Sequence, residues 1–245
     1  MKIDLEKCIG CQKCADYCPV GAISYIQDEK KPKKKKGVID LEECVECGVC
    51  FRAGVCKPEA IFRQEIGWPR SVRLAFSDPM IEHKNTGVPG RGTEEMKTNE
   101  VTGRYKWGMY GMAFELGRPG VGARFSDVEK VAKALASLKV EFEENNPVTK
   151  LMVDRRKGSI HPEVLGEKVL SAIVEFITPA EKLPQILEVL DRVSKEINTV
   201  FSGDIITRVG PDASVPSVKS LMEMKRFISI NGKSNVGLGK PRASE

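Results

Sequence analysis

From Lys106 onward the chain alternates two kinds of apolar pattern. "KWGMYGMAFEL" (Lys106–Leu116) reads as a strand. In "SDVEKVAKALASL" the residues Val128, Val131, Ala132, Leu135 and Leu138 recur at the spacing of one helix face. Ser126 and Glu129 stand at its start with the spacing of a capping box. "VTKLMVD" (Val148–Asp154) reads as a strand, and "VLSAIVEFIT" (Val169–Thr178) as a buried one. Thr178, Pro179 and Glu181 mark a second helix start, with Leu183, Ile186, Leu187, Leu190 and Val193 on its apolar face. "TVFSGDIITRV" (Thr199–Val209) closes the series as a strand. "MAFEL", "LMV" and "AIVEF" are apolar on both alternations. The sheet face away from the helices is therefore expected to pack against a second copy or a larger subunit.

The order over residues 101–210 is βαββαβ, the ferredoxin-like split βαβ arrangement, an α/β unit that needs no iron. ACT-type regulatory modules share this architecture, and no function follows from it alone. Residues 67–100 are rich in Pro, Gly and charge and read as an irregular connector, with His83 a polar loop residue. Residues 211–245 read as a tail, either loosely ordered or wrapped on a partner. The fold class is thus α+β, with a separate unit in residues 1–66.

That N-terminal unit is a duplication. "IDLEKCIGCQKC" (Ile3–Cys14) matches "IDLEECVECGVC" (Ile39–Cys50) at a constant offset. The offset grows by two at the last cysteine, Cys18 against Cys56, because "FRAGV" stands where the first copy has "ADY". All 8 cysteines of the 245-residue chain lie between Cys8 and Cys56. "MKIDLEKC" leaves no room for a signal peptide's apolar core, so a reducing cytoplasm is expected and a disulfide scaffold is disfavoured. No run of about 20 apolar residues is present, which argues against a membrane span. A net charge of +5 does not by itself call for nucleic acid.

Three cysteines spaced C-x-x-C-x-x-C surround one small space with three thiolates. Zinc sites usually pair C-x-x-C with a second distant pair, so triplets with a distant single cysteine suit an iron–sulfur cluster better. Cys18-Pro19 completes C-x2-C-x2-C-x3-C-P. On these motifs residues 1 to about 66 resemble the bacterial-type ferredoxins with two [4Fe-4S] clusters. The resemblance implies that Cys8, Cys11, Cys14 and Cys56 hold one cluster, and Cys44, Cys47, Cys50 and Cys18 the other. The second copy departs from the family pattern, with five residues before Cys56 and Cys56-Lys57-Pro58 in place of Cys-Pro. A bulge at Ala53-Gly54 beside Cys50 is expected to make the two cluster potentials differ.

Two further stretches carry charge or glycine. "EKKPKKKKG" lies between the copies, where the lysines (Lys30–Lys36) are either a solvated hairpin tip or a dock for an acidic partner. They lack the aromatic interleaving of a nucleic-acid site. "GRPGVGARF" (Gly117–Phe125) precedes a helix, but Asp127 and Glu129 at that helix start would repel an anion. It reads as a tight loop or a partner contact, with Arg118 and Arg124 its cations. His161 is a loop residue before Pro162, and no catalytic grouping can be assembled.

The cysteine motif implies electron transfer. A free carrier needs about 60 residues, so the added α/β domain points to the small iron–sulfur subunit of a cytoplasmic oxidoreductase. It resembles the ferredoxin-type subunits that accompany tungsten or molybdenum pterin enzymes, such as the aldehyde oxidoreductase and benzoyl-CoA reductase families. The rival is a redox-responsive regulator whose ACT-like domain takes a small effector.

Overall fold

The computed structural model describes residues 1–29, 31–82 and 104–228. Its N-terminal part contains β1 (Lys2–Ile3), β2 (Ile23–Asp28), β3 (Lys31–Ile39), α1 (Val49–Arg52) and β4 (Ile61–Phe62). β1 pairs with β4, setting Ile3 opposite Ile61, and β2 pairs with β3, setting Ile23 opposite Ile39. Ile3 and Ile39 are equivalent in the repeat, as are Ile61 and Ile23, so the two ribbons are copies of each other. The turns that follow are copies too. Asp4 accepts from the Glu6 N–H at 2.8 Å, and Asp40 from the Glu42 N–H at 2.8 Å. Cys8 N–H then bonds to the Asp4 carbonyl, and Cys44 N–H to the Asp40 carbonyl. Met1, Ala22, Ile23, Ile61, Cys44 and Cys50 make one small shared core.

The stretch expected to be an irregular connector holds a helix instead, α2 (Ser71–Ser77). Val72 and Phe76 bury one side of it in the core of the C-terminal domain, where the Phe76 ring meets Phe125 edge-on at 5.2 Å. Arg73 points to the other side and is also buried. Seven residues are too few to establish an apolar period from sequence. His83 lies outside the described residues.

The C-terminal domain runs β5 (Met109–Leu116), β6 (Ala123–Arg124), α3 (Phe125–Ala136), β7 (Glu141–Phe142), α4 (Pro147–Lys150), β8 (Met152–Asp154), β9 (Ser159–Ile160), β10 (Lys168–Val169), β11 (Ala172–Pro179), α5 (Leu183–Val193) and β12 (Phe201–Ile206). Four strands form one antiparallel sheet in the order β12-β5-β11-β7. The order β5-α3-β7-β11-α5-β12 is βαββαβ, with the β8–β9 hairpin and the β6–β10 ribbon inserted. α3 and α5 pack together on one sheet face. Met112, Phe114, Leu116, Val174 and Phe176 meet Val128, Val131, Leu135, Ile186 and Leu190 there in a single core. Each such fully buried side chain contributes about 1.5–3 kcal/mol.

Four expectations need correction. The second sheet strand is β7, not Val148–Asp154. Asn146 accepts from the Val148 and Thr149 N–H groups at 2.7 and 3.3 Å and starts α4, with Pro147 in its first turn. Met152–Asp154 then pairs with β9, off the main sheet. The capping box is absent: the Phe125 and Ser126 N–H groups bond to the carbonyls of Glu167 and Leu165, while Glu129 accepts from the Ile160 N–H. The tail contains α6 (Pro216–Glu223), tied to α5 by Arg226 and Asp191. Finally, the sheet face away from the helices is not an open apolar surface. Ala113, Ile173, Glu175 and Ile177 are buried within the chain, and the Tyr105 ring lies over Gly111.

Candidate iron–sulfur centre

Two cavities lie in the N-terminal unit, and the cysteines divide between them across the repeat. One, of about 350 Å³, is lined by Cys8, Cys11, Cys14 and Cys56 with Ile9, Tyr25 and Ile61. The other, of about 300 Å³, is lined by Cys18, Cys44, Cys47 and Cys50 with Met1, Ile23 and Ile39. Each cavity takes three cysteines from one run and the last cysteine of the other run. Among the described residues no trio of His, Cys, Asp or Glu converges on a point that suits one metal ion. Four thiols line each cavity, an arrangement that suits a multi-atom cluster held by four sulfurs.

Backbone donors point at the sulfurs. Ala22 N–H donates to Cys18 Sγ at 3.1 Å, and its repeat equivalent Ala60 N–H to Cys56 Sγ at 3.2 Å. Gly37 N–H, on β3, donates to Cys8 Sγ at 3.3 Å. Backbone bonds from Glu46 and Val49 serve Cys44 and Cys47. Burial pushes the thiols of Cys44 and Cys47 up. Cys50 is pushed to about 12, by burial first and then by repulsion from Cys47, Cys44 and Cys18. Burial opposes the loss of these protons, and iron held here would supply the positive charge that offsets it. Cys14 is also raised by burial, and its sulfur lies 3.7 Å from the Tyr25 hydroxyl.

The two sites differ in their surroundings. Cys11 is exposed and Ile9 beside it is 59% exposed, whereas Cys44, Cys47 and Cys50 are buried. Buried Arg73 explains part of this. Its Nη1 donates to the carbonyls of Leu41, Glu42 and Cys44 at 2.8–2.9 Å, and its Nε to Glu167 of the C-terminal domain. Arg70 donates to Glu46 at 2.7 Å, and Glu43 accepts from Arg124 at 2.7 Å and from Lys168. The hydrogen bond from Lys168 and the neighbouring charges hold the Glu43 carboxyl below the usual range. Arg52 reaches the Cys47 carbonyl at 2.7 Å, and Arg52 and Arg63 both bind Asp78. Burial would raise the Asp78 carboxyl, but the bonds from Arg63 and the Met80 N–H and the charge of Arg52 hold it low. None of Arg52, Arg63, Arg70, Arg73 or Asp78 carries a signal in sequence, because their partners are backbone groups or side chains 15 or more residues away.

A family profile for the 4Fe-4S dicluster domain matches residues 7–60. An uncharacterised ferredoxin of Methanocaldococcus jannaschii is 42% identical over 59 residues, which is 24% of this chain and 70% of the relative. The chain belongs to the dicluster 4Fe-4S ferredoxins. An uncharacterised protein of Porphyra purpurea, encoded in an rpl9–rpl11 intergenic region, is 29% identical over 68 residues, 28% of this chain and 91% of that protein. No solved structure matches the chain. The ferredoxin unit binds 4Fe-4S clusters and transfers electrons. Among the described residues no helix is long and apolar enough to cross a membrane.

Other residues noted in the sequence fall outside the centre. In the glycine loop, Gly117, Gly120 and Gly122 have positive φ, and Gly120 and Gly122 pack close to Pro19 and Val20 of the ferredoxin unit. Arg118 pairs with Glu115 and Arg124 with Glu43. The loop is thus a contact between the two units. His161 stacks edge-on against Trp68 at 5.4 Å. Of the lysine run, Lys36 is built in: its ammonium donates to the Leu5 and Cys8 carbonyls at 2.8 and 2.6 Å. Lys31, Lys33, Lys34 and Lys35 are exposed on β3.

Proposed function

We propose that the chain holds two [4Fe-4S] clusters and carries electrons between them as the iron–sulfur subunit of a larger oxidoreductase. Cys8, Cys11, Cys14 and Cys56 hold the first, and Cys18, Cys44, Cys47 and Cys50 the second. The observation that carries this reading is the crossed lining of the two cavities. Protein prepared without oxygen should contain about eight iron and eight sulfide per chain. Cys56→Ser should remove the spectroscopic signal of the site formed by Cys8, Cys11 and Cys14. Loss of the other signal, or about four iron in the wild type, would refute the assignment.

The subunit role is supported by the second domain, which is fastened to the ferredoxin unit by Arg73, Arg124 and Lys168 rather than joined by a free linker. A cytoplasmic catalytic partner of the tungsten or molybdenum pterin aldehyde oxidoreductase or benzoyl-CoA reductase type rests on the resemblance of the cysteine motif. Anaerobic co-purification from the native cell tests it. A redox-responsive regulator is the second reading, favoured by the direct tie from Arg73 to the loop of Cys44. A dimer that appears on adding a small effector, seen by light scattering, would support it instead.

A further inference from the structure

The two halves of the ferredoxin unit have diverged in charge at equivalent positions. In the first copy Lys7 precedes Cys8 and Lys13 precedes Cys14. Their equivalents in the second copy are Glu43 and Val49. Glu43 faces Arg124 and Lys168 of the C-terminal domain. Ile9 is 59% exposed, while its equivalent Val45 is 1% exposed. At this pole of the second copy the apolar residue is buried and the charge is paired with the C-terminal domain. The first copy has the same pole uncovered, with the charge reversed. Lys7, Lys13 and Lys57 are all exposed, and each adjoins a cysteine (Cys8, Cys14 or Cys56) that lines one cavity with Ile9. β3 borders the same loop, because Gly10 packs against the Lys35 backbone and Gly37 N–H reaches Cys8 Sγ. Its exposed Lys33, Lys34 and Lys35 extend the basic surface.

We infer that this pole, Ile9 ringed by Lys7, Lys13 and Lys57 beside the lysines of β3, is the face through which electrons enter or leave. Its partner is a redox protein whose docking surface is rich in carboxylates. The inference rests on the two-cluster reading and adds where electrons cross the surface: the pole near Cys11 is the outer port, and the pole near Cys44 carries Glu43 paired with the C-terminal domain. Basic residues around an exposed port raise the rate of encounter with an anionic partner and make that rate fall with salt. Glu6, Asp16, Glu29 and Glu59 are exposed on the same segments, and the six lysines outnumber them.

Small oxidants of opposite charge test this on the full-length, cluster-loaded protein. Each accepts one electron: ferricyanide becomes ferrocyanide, hexaamminecobalt(III) becomes cobalt(II), and the protein is oxidised by one electron. For the wild type, ferricyanide oxidation should slow as salt rises and hexaamminecobalt(III) oxidation should quicken. Lys33→Glu, Lys34→Glu and Lys35→Glu together should slow ferricyanide about fivefold or more at low salt and reverse both salt slopes. Lys150→Glu, Lys219→Glu and Lys225→Glu change the net charge equally on the exposed surface of the C-terminal domain, and should have little effect. Iron content and the spectra of the reduced protein are measured on every variant. Equal effects of the two triple variants would overturn the port. Fewer than about eight iron in the wild type would instead overturn the two-cluster reading beneath it.

Discussion

Gly10 and Glu46 occupy equivalent places in the duplication, as do Gln12 and Gly48, and all four have positive φ, between 59° and 71°. The backbone needs a left-handed residue on each side of the second cysteine of each triplet. Each copy meets that need with one glycine and one ordinary residue, in opposite order. Left-handed backbone costs a residue with a side chain about 1–2 kcal/mol, part of which glycine gives back as chain entropy. Gln12→Gly should therefore stabilise the loaded protein by about 0.5–1 kcal/mol, a rise of a few degrees in the thermal midpoint. Gly10→Ala should do the opposite, because its Cβ would overlap the Lys35 carbonyl. Loss of the signal from the Cys8 site, read by spectroscopy at ordinary temperature, checks it. At this scale the grouping of the cysteines was legible: the spacing within each triplet is local, and the duplication exposes which cysteine of each run stands apart. The supporting residues were not, since Arg73 and Asp78 gain meaning from carbonyls and guanidiniums that the folded chain alone brings near.

Among the elements, α2 reaches both units at once. One side of this short helix supplies Val72 and Phe76 to the C-terminal core, and the other supplies Arg73 to the Leu41–Cys44 loop and Glu167. Removing one partner of a buried charged network typically costs about 3–5 kcal/mol. Arg73→Met should lower the thermal midpoint accordingly and weaken the signal of the Cys44 site before that of the Cys8 site. Arg73→Met with Glu167→Gln should recover part of the loss, because no carboxylate is then left unpaired. Recovery without any selective change at the Cys44 site would mean that Arg73 serves the interface alone. The long elements of the C-terminal domain, β5, α3, β11 and α5, were readable from their apolar periods. β7 was not, because two residues, Glu141 and Phe142, are too few to show a period. Val148, Leu151 and Val153 then imitated a strand, although Asn146-Pro147 is a helix start signal that precedes them.

Over the whole molecule, the two cavities depend on different parts of the chain. Around Cys8, Cys11, Cys14 and Cys56 the supporting contacts come from Gly37, Ala60, Tyr25 and Lys36, all within residues 1–66. Around Cys18, Cys44, Cys47 and Cys50 many come from farther on. Arg70 shares Glu46 with the Met1 ammonium, Arg73 binds the Cys44 carbonyl, and Asp78 sits between Arg52 and Arg63 beside Gly48. Cutting the chain after residue 66 would leave Glu46 without Arg70, three carbonyls without their donor, and two guanidiniums without their carboxylate. The thiols of Cys44, Cys47 and Cys50, whose proton release is already opposed by burial, would then line a loop with little to hold its shape. The fragment 1–66 is accordingly expected to keep the Cys8 site and lose the Cys44 site. Its iron should fall from about eight to about four per chain, with the remaining signal that of the exposed site. A fragment that holds about eight iron and both signals would show that the second domain closes the Cys44 pole without supporting the centre beneath it.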